Sequence, residues 1–518
     1  MKNSKILKTF ILIAYLAVPA ISSAKLIQIL HTNDTHSFLD NSDHSTTKGG
    51  AARLKAMIDQ YKAEASAEGV STLVVDAGDF LEGNVYFMAD GGRKTFDVHN
   101  EMGYDIGTLG NHDYQMGSTE LDKLLGEMDL KFSLIVANID AGSQYKNIKD
   151  KIKPYKEIVI DGIKIGILGL TTDEILYKWR LQSGAISNPI LAAQKYETGL
   201  SARNDFVIAL THIGVLKDIK LAEKTKYIDL IIGGHSHTAL YEPTYAINKQ
   251  KNVVPIVQAG MHTEYLGRLV LDLEKGKPLK IASYELIPVK TEEGRVDPNI
   301  ADLVKSADIE LDNYYGANWL NEKVGFSDLQ ANDALGTRKW AYFIADTMKE
   351  KAEADIAIHS PDMSGSNYPV GDITRRSILN SIPRVFEVEQ KFGWDIYTTH
   401  IKGAWLRMTM DALSYVGQPL TFSGIKMDYE RGPLGFKLRN FTVNGKKVNP
   451  FKTYTVAFTE GIIRGAQGVD PRTIAILRNP KNTNFKIWAA LEEKIKKTNS
   501  INRICEEGED HAILYPNK

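Results

Sequence analysis

The chain of 518 residues has one cysteine, Cys505. A single cysteine forms no intrachain disulfide. Nor can it build the thiolate-rich shell of a structural zinc site. Charge of one sign is also missing. Lys and Arg number 63 against 64 Asp and Glu, a formal net charge of −1. There is thus no polybasic field to make a nucleic-acid polymer or an anionic lipid surface the main partner. After the first 24 residues no apolar run is long enough to cross a bilayer. Internal repeats and low-complexity tracts are absent too, so no repeat architecture is expected.

What is present is globular composition, 43% hydrophobic and 25% charged. The length exceeds one ordinary core, and two domains are expected. Residues 1–24 read as a secretory signal peptide. Lys2, Lys5 and Lys8 precede a short apolar run from Phe10 to Ala20, and Ser22, Ser23 and Ala24 supply a cleavage site before Lys25. The expected destination is a periplasm or the medium, with no stable membrane span after cleavage.

Residues 25–290 alternate apolar strands with helical patterns, among them amphipathic 51–65 and capped 118–128. Residues 156–170 read as a hairpin turning at Asp161-Gly162. This is an α/β layered domain. A long polar helix pattern follows a proline in 291–325 and reads as a linker. Residues 326–518 alternate helices and strands again, as a second, smaller α/β domain.

Within the first domain five apolar runs share one grammar. LIQILHTNDTHS ends in Asp34 and His36, TLVVDAGD in Asp79, IGTLGNHD in Asn111, His112 and Asp113, FVIALTH in His212, and IDLIIGGHSH in His235 and His237. Imidazole, carboxylate and amide donors in one set suit a catalytic divalent-ion site of Mn, Zn or similar. In extended chain, residues two apart project to one side, so Asp34/His36 and His235/His237 are each expected to face the centre. Two adjacent cations repel and need a bridging carboxylate. Asp79 is the choice, because its strand is the most evenly apolar and is expected to be central. His31, His44, His99, His262, His359 and His400 lack the pattern and read as structural or surface residues, with His31 a possible supporting neighbour of the site.

HTNDTH, GGAARL, GDFLEGN, GNHDY, VANI, THIG and IIGGHSHT, in this order, resemble the calcineurin-like metallophosphatase domain of the 5′-nucleotidase family. The resemblance implies a four-layered α/β sandwich holding two divalent ions. It assigns Asp34, His36, Asp79 and His237 to one ion, and Asp79, Asn111, His212 and His235 to the other. His112 resembles the family's catalytic histidine. The implied reaction is hydrolysis of a small phosphorylated substrate, a phosphomonoester or 5′-nucleotide, by a water made nucleophilic between two metals. Charge growing on phosphorus oxygens and leaving group would be stabilised by the metals and His112.

The chain departs from the family in several places. Family members carry GNHEFD, whose last Asp supports the histidine, whereas here Gln115 holds that place. A neutral amide cannot compensate an imidazolium charge, so weak support for His112 is expected. Asp113 occupies the adjoining position. In the second domain SPDMSG (360–365) stands where the family has NGGGIR. Pro419, Gly461 and Gln467 replace the aromatic clamp and an Asp, so no substrate contact is assigned. Arg375, Arg376, Arg384, Arg431 and Arg464 are read as surface ion pairs or anion binders, and Trp394 and Trp405 as core. Ser360-Pro361 also resembles the thiosulfohydrolase of sulfur oxidation, the alternative activity on this scaffold. A third reading is a non-catalytic metal-binding homologue, against which the full ligand set argues.

Overall fold

The computed structural model describes residues 24–40, 49–174, 184–290, 294–329, 336–364, 368–413, 420–432, 435–464, 480–498 and 511–514. The signal segment up to residue 23, His44, Pro419, Gln467 and Cys505 lie outside the described residues, as does the side chain of Arg431.

Two sheets face each other in the first half of the chain. The first has seven strands in the order Lys280–Pro288, Tyr265–Leu273, Lys25–Thr32, Ser71–Asp76, Ile106–Gly107, Ser133–Ile135 and Ile152–Lys153. The second has six: Thr244–Ile247, Val253–Val257, Leu230–Ile232, Phe206–His212, Ile163–Thr171 and Tyr155–Ile160. The strands that feed the candidate ligands pair in parallel within each sheet.

Side-chain alternation explains the layering. Along Phe206–His212, Phe206, Ile208 and Leu210 enter the core between the sheets, while Val207 and Ala209 enter a second core. That second core also contains Leu200 of the helix Pro189–Ser201 and Leu221 of the helix Val215–Lys224. On the first sheet Ile27 and Ile29 point inward, whereas Leu30 and Val74 pack with Leu54 and Ile58 of the helix Gly50–Ala67. The period of two thus builds a helix–sheet–sheet–helix stack. The strand Ser71–Asp76 lies at the centre of its sheet, as expected. The 155–171 hairpin turns at Asp161 and Gly162, both with positive φ (50° and 81°), the geometry of a tight two-residue turn.

The expected linker is a helix only from Pro298 to Tyr315, capped by the Asp297 side chain and ended at Gly316. It is no free polar spacer. Ile300, Val304, Ala307 and Leu311 form a buried stripe at helical spacing, packed on the helices Gly50–Ala67, Val85–Asp90 and Arg93–Glu101. The second half builds its own six-stranded sheet: Lys481–Lys486, Asp395–Lys402, Thr453–Thr459, Ile356–His359, Leu420–Ser423 and His511–Leu514. The helix Gly336–Lys351 packs on it, burying Phe343, Ile344 and Met348. Trp394 is buried there, but Trp405 is half exposed and is not a core residue. Among the described residues no helix is long and apolar enough to cross a membrane.

Candidate metal centre

All seven ligand candidates lie at or just past the carboxyl ends of these parallel strands, where the two sheets open. Asp34, His36 and His237 present donor atoms within 4.8 Å of one another, and Asp79, His212 and His235 do the same. Asp79 links the two groups. Its Oδ2 is 2.8 Å from His212 Nε2 and 3.8 Å from His36 Nε2. Its Oδ1 accepts the His112 backbone N–H at 2.7 Å, which leaves Oδ2 as the atom facing both sets. Asn111 Oδ1 is buried with no hydrogen-bond partner. His36 Nε2 and His237 Nε2 meet at 3.0 Å. An orphaned buried amide oxygen beside converging carboxylates and imidazoles is what a set of metal ligands presents, so these residues fit two divalent ions.

The backbone reaches this arrangement differently from the extended chain expected. Asp34, His36, Asp79, His235 and His237 all have positive φ, between 50° and 81°. Left-handed backbone at such residues costs on the order of 1–3 kcal/mol each and persists only where the surroundings impose it. Here the loops impose it on one another. Asp34 N–H donates to Gly78 O, His36 N–H to Asp79 O, and His262 N–H to Asp34 O, at 2.8 to 2.9 Å. The carboxylate of Asp113 accepts the backbone N–H groups of Asp79, Phe80, Leu81 and Gly110 at 2.7 to 3.0 Å. Asp113 is therefore the clamp on the Asp79 loop. A Cβ at Gly110 would lie 2.1 Å from Asp79 Oδ1, so glycine is required there.

Two ligand imidazoles are fixed by backbone carbonyls. His36 Nδ1 is hydrogen-bonded to Glu82 O, and His212 Nδ1 to Ala77 O at 2.7 Å, which turns each Nε2 to the centre. His235 Nε2 meets Glu174 Oε1 at 2.9 Å. Burial alone would raise the Asp34 carboxyl, but His212 and His237 overcome it and hold Asp34 at about 2. Burial lowers His36 to about 3. For His212, burial is outweighed by Asp79 and Asp34, which raise the imidazole to about 10.

The support of His112 is the main correction to the sequence reading. Its Nδ1 meets a carboxylate after all, that of Glu82, in the loop that follows the central strand. Gln115 does not stand in for the acid at His112. Its Nε2 donates to Glu82 Oε1 at 3.0 Å and to Val385 O at 2.8 Å. Arg384, from the second half of the chain, donates to Glu82 Oε2 at 2.6 Å. Glu82 was missed because its partner histidine is distant in sequence. The available signal was an acid inside the apolar run Phe80 to Phe87, where a charge needs a partner.

The other histidines divide. His31 is buried on its strand with both ring nitrogens unpartnered, lowered to about 3 by burial. His99 stacks on Phe80 at 3.9 Å, and His359 is buried in the six-stranded sheet of the second half of the chain. His400 Nδ1 bonds Thr455. His262, by contrast, lies 5.6 Å from the His36 ring and lines the cavity. Three of the candidate arginines make ion pairs: Arg375 with Glu322 and Glu492, Arg376 with Asp40 and Asp308, and Arg464 with Glu387 and Glu460. Arg375, Arg376 and Arg384 are buried, not surface residues. Gly461 packs against Trp394. A cavity of about 740 Å³ lies over the centre, bounded on its far side by Trp340, Pro361, Ser364, Tyr368 and Arg384.

Comparison with known proteins agrees with this architecture. The calcineurin-like phosphoesterase family matches residues 27–239 and the 5′-nucleotidase C-terminal domain matches residues 323–472. The chain thus joins a calcineurin-like phosphoesterase domain to a 5′-nucleotidase C-terminal domain. It is 27% identical to the trifunctional nucleotide phosphoesterase protein YfkN of Bacillus subtilis over 95% of this chain and 35% of that one. The chain spans about a third of YfkN's length. It spans 52–58% of the matching animal and snake venom 5′-nucleotidases. Among solved structures, a 5′-nucleotidase precursor from Thermus thermophilus covers 92% of this chain and 97% of its own, with TM-score 0.78 and 24% identity. Sulfate thiohydrolase SoxB, also from Thermus thermophilus, covers 92% and 94% with TM-score 0.71 and 17% identity. Both likenesses show the fold.

Two outcomes are expected. Wild-type protein binds close to two divalent ions by elemental analysis, Asp79→Ala loses both, and His237→Ala loses one. Full occupancy in Asp79→Ala would show that no ion depends on that residue. Secondly, the raised His212 holds its proton in the ion-free protein up to about pH 10. Its pairing with Asp79 and Asp34 is complete below the unfolded value and is lost as pH rises through the folded one. A cation must displace this proton, so binding at pH 8 releases about one proton from this site. Calorimetry in buffers of different ionisation enthalpy reads this release, and identical heats in all of them would contradict it.

Proposed function

We propose that this protein is an exported, metal-dependent phosphomonoesterase for which 5′-nucleotides are the leading substrate class. One observation carries the reading: two groups of metal-ligand side chains, Asp34/His36/His237 and Asp79/His212/His235, lie together at a cavity lined by residues of both halves of the chain. In this reading one ion is held by Asp34, His36, Asp79 and His237, and the other by Asp79, Asn111, His212 and His235. The metal domain comprises residues 25–290, joined by the helix region 291–325 to a substrate domain from 326 onward.

Bound there, a pair of divalent ions supplies an acidified water and a counter-charge for phosphoryl oxygens. The remaining chemistry belongs to the chain. His112 lines the cavity with its Nδ1 against Glu82, which places the imidazole where it can meet a bound ester. Charged, it donates to a phosphoryl or leaving-group oxygen. Neutral, it still orients the ester. Trp340 and Tyr368 give the distal wall apolar area for the group attached to phosphate. A thiosulfohydrolase remains the second reading, because Pro361 and Ser364 line the cavity in the stretch where nucleotidases carry NGGGIR.

Assays with Mn²⁺ or Zn²⁺ on p-nitrophenyl phosphate, nucleoside 5′-monophosphates and a thiosulfonate adduct of a cysteine peptide separate the two. Hydrolysis of the phosphate esters, abolished by a chelator, is expected. His112→Asn should then lower kcat by about 10²–10³ with both ions retained. Turnover of the sulfur adduct alone would replace the first reading by the second. Export predicts that N-terminal sequencing of the secreted chain begins at Lys25, and a mature chain starting at Met1 would contradict it.

A further inference from the structure

We propose that Glu82 is the positioning carboxylate of His112, that Gln115 and Arg384 exist to hold it, and that the second domain thereby sets the orientation of the histidine. The inference rests on the phosphomonoesterase reading for its kinetic consequence, but not for its geometry. Glu82 is fully buried, and both its oxygens are engaged. Oε2 meets His112 Nδ1 and accepts from Arg384 Nη1 at 2.6 Å. Oε1 accepts from Gln115 Nε2 at 3.0 Å. A carboxylate held at both oxygens cannot rotate away from the imidazole it faces, and its contact with Nδ1, closer than that of Arg384 Nη1 at 3.3 Å from the same nitrogen, favours hydrogen on Nδ1.

The supports come from across the domain boundary. Arg384 Nε donates to Met363 O at 3.2 Å, and the guanidinium also reaches Ser364 O at 3.4 Å. Gln115 Nε2 is anchored on Val385 O at 2.8 Å. The segment that carries Arg384 and Val385 thus fixes the Glu82 carboxylate from both sides.

This arrangement also gives a physical reason for glutamine at 115. A glutamate there, isosteric with Gln115, would place a second buried carboxylate 3.0 Å from the first, where like charges cannot both ionise. The acid has exchanged loops: it sits after the central strand, and the position that carries it in GNHEFD holds the amide that braces it. The competing view is an interdomain ion pair of Glu82 and Arg384 that His112 merely adjoins.

Glu82→Gln decides between them. Its kcat on a nucleoside 5′-monophosphate, a poor leaving group, should fall about 10²-fold, while p-nitrophenyl phosphate changes by less than about fivefold, since general acid assistance is worth about 10²–10⁴. KM and the two-ion content should hold. Gln115→Ala, which loosens the brace and keeps the acid, should fall between wild type and Glu82→Gln. If Glu82→Gln leaves Arg384 unpaired and fails to fold, Glu82→Gln/Arg384→Gln removes both charges and carries the same expectation. The independent readout is the downfield ring N–H proton resonance of the zinc-loaded protein, assigned by its loss in His112→Asn. It should shift upfield or vanish in Glu82→Gln. An unmoved resonance, or an equal kcat loss on both esters, overturns the inference. A wild-type enzyme inactive on both esters, with the resonance moved, would sink the phosphomonoesterase reading and leave the positioning of His112 supported.

Discussion

Asp34 and Asp79 are buried carboxylates facing one small space, and the rest of the first domain follows from having to keep them there. Two negative charges out of water are expensive unless paired. Without ions, His212 and its proton meet part of that cost, between Asp34 and Asp79. The fold supplies the other part in backbone: Asp113 with its four amides, the ladder between the 33–37 and 78–80 loops, and glycines where a Cβ would strike Asp79 or His212. Left-handed residues in three separate loops are the visible cost of aiming five donors inward. A pair of divalent cations is the partner that this concentration of negative charge and unsatisfied donors lacks.

The second domain is tied to that same point. Besides forming the distal wall of the cavity, it sends Arg384 into the first domain, and Asn380 Oδ1 accepts the Val85 N–H at 3.0 Å beside it. Arg376 meets Asp40, Tyr86 and Asp308, so the interdomain helix is part of the same contact. The halves share one continuous core, from Leu54 and Phe96 through Leu311 to Phe343. The distal wall of the cavity and the contacts that hold Glu82 against His112 therefore depend on one interface.

Much of this was legible in the chain. The layered fold could be read because apolar runs alternate with helical patterns, and because ligand-type residues recur where runs such as Phe206–His212 stop. The central place of the Asp79 strand followed from its unbroken apolar character. Backbone conformation was not legible. Asp34/His36 and His235/His237 do reach the centre as expected, with His235 and His237 in different donor groups, but from left-handed loops rather than extended chain. Nor could spacing in sequence reveal Glu82, Glu174 or His262, each brought to the centre from another loop. The polar look of residues 298–315 hid a stripe of four buried positions, because surface charges outnumber core residues on such a helix.

The central claim is that two cations occupy these donor groups and share the Asp79 carboxylate. Electron paramagnetic resonance of the protein loaded with Mn²⁺ tests it. Two ions bridged by one carboxylate oxygen are magnetically coupled, and the predicted spectrum is that of an exchange-coupled pair, converted to signals of isolated or free Mn²⁺ in Asp79→Ala. A spectrum of two uncoupled ions in the fully loaded wild type, or a coupled spectrum that survives in Asp79→Ala, would contradict the shared carboxylate.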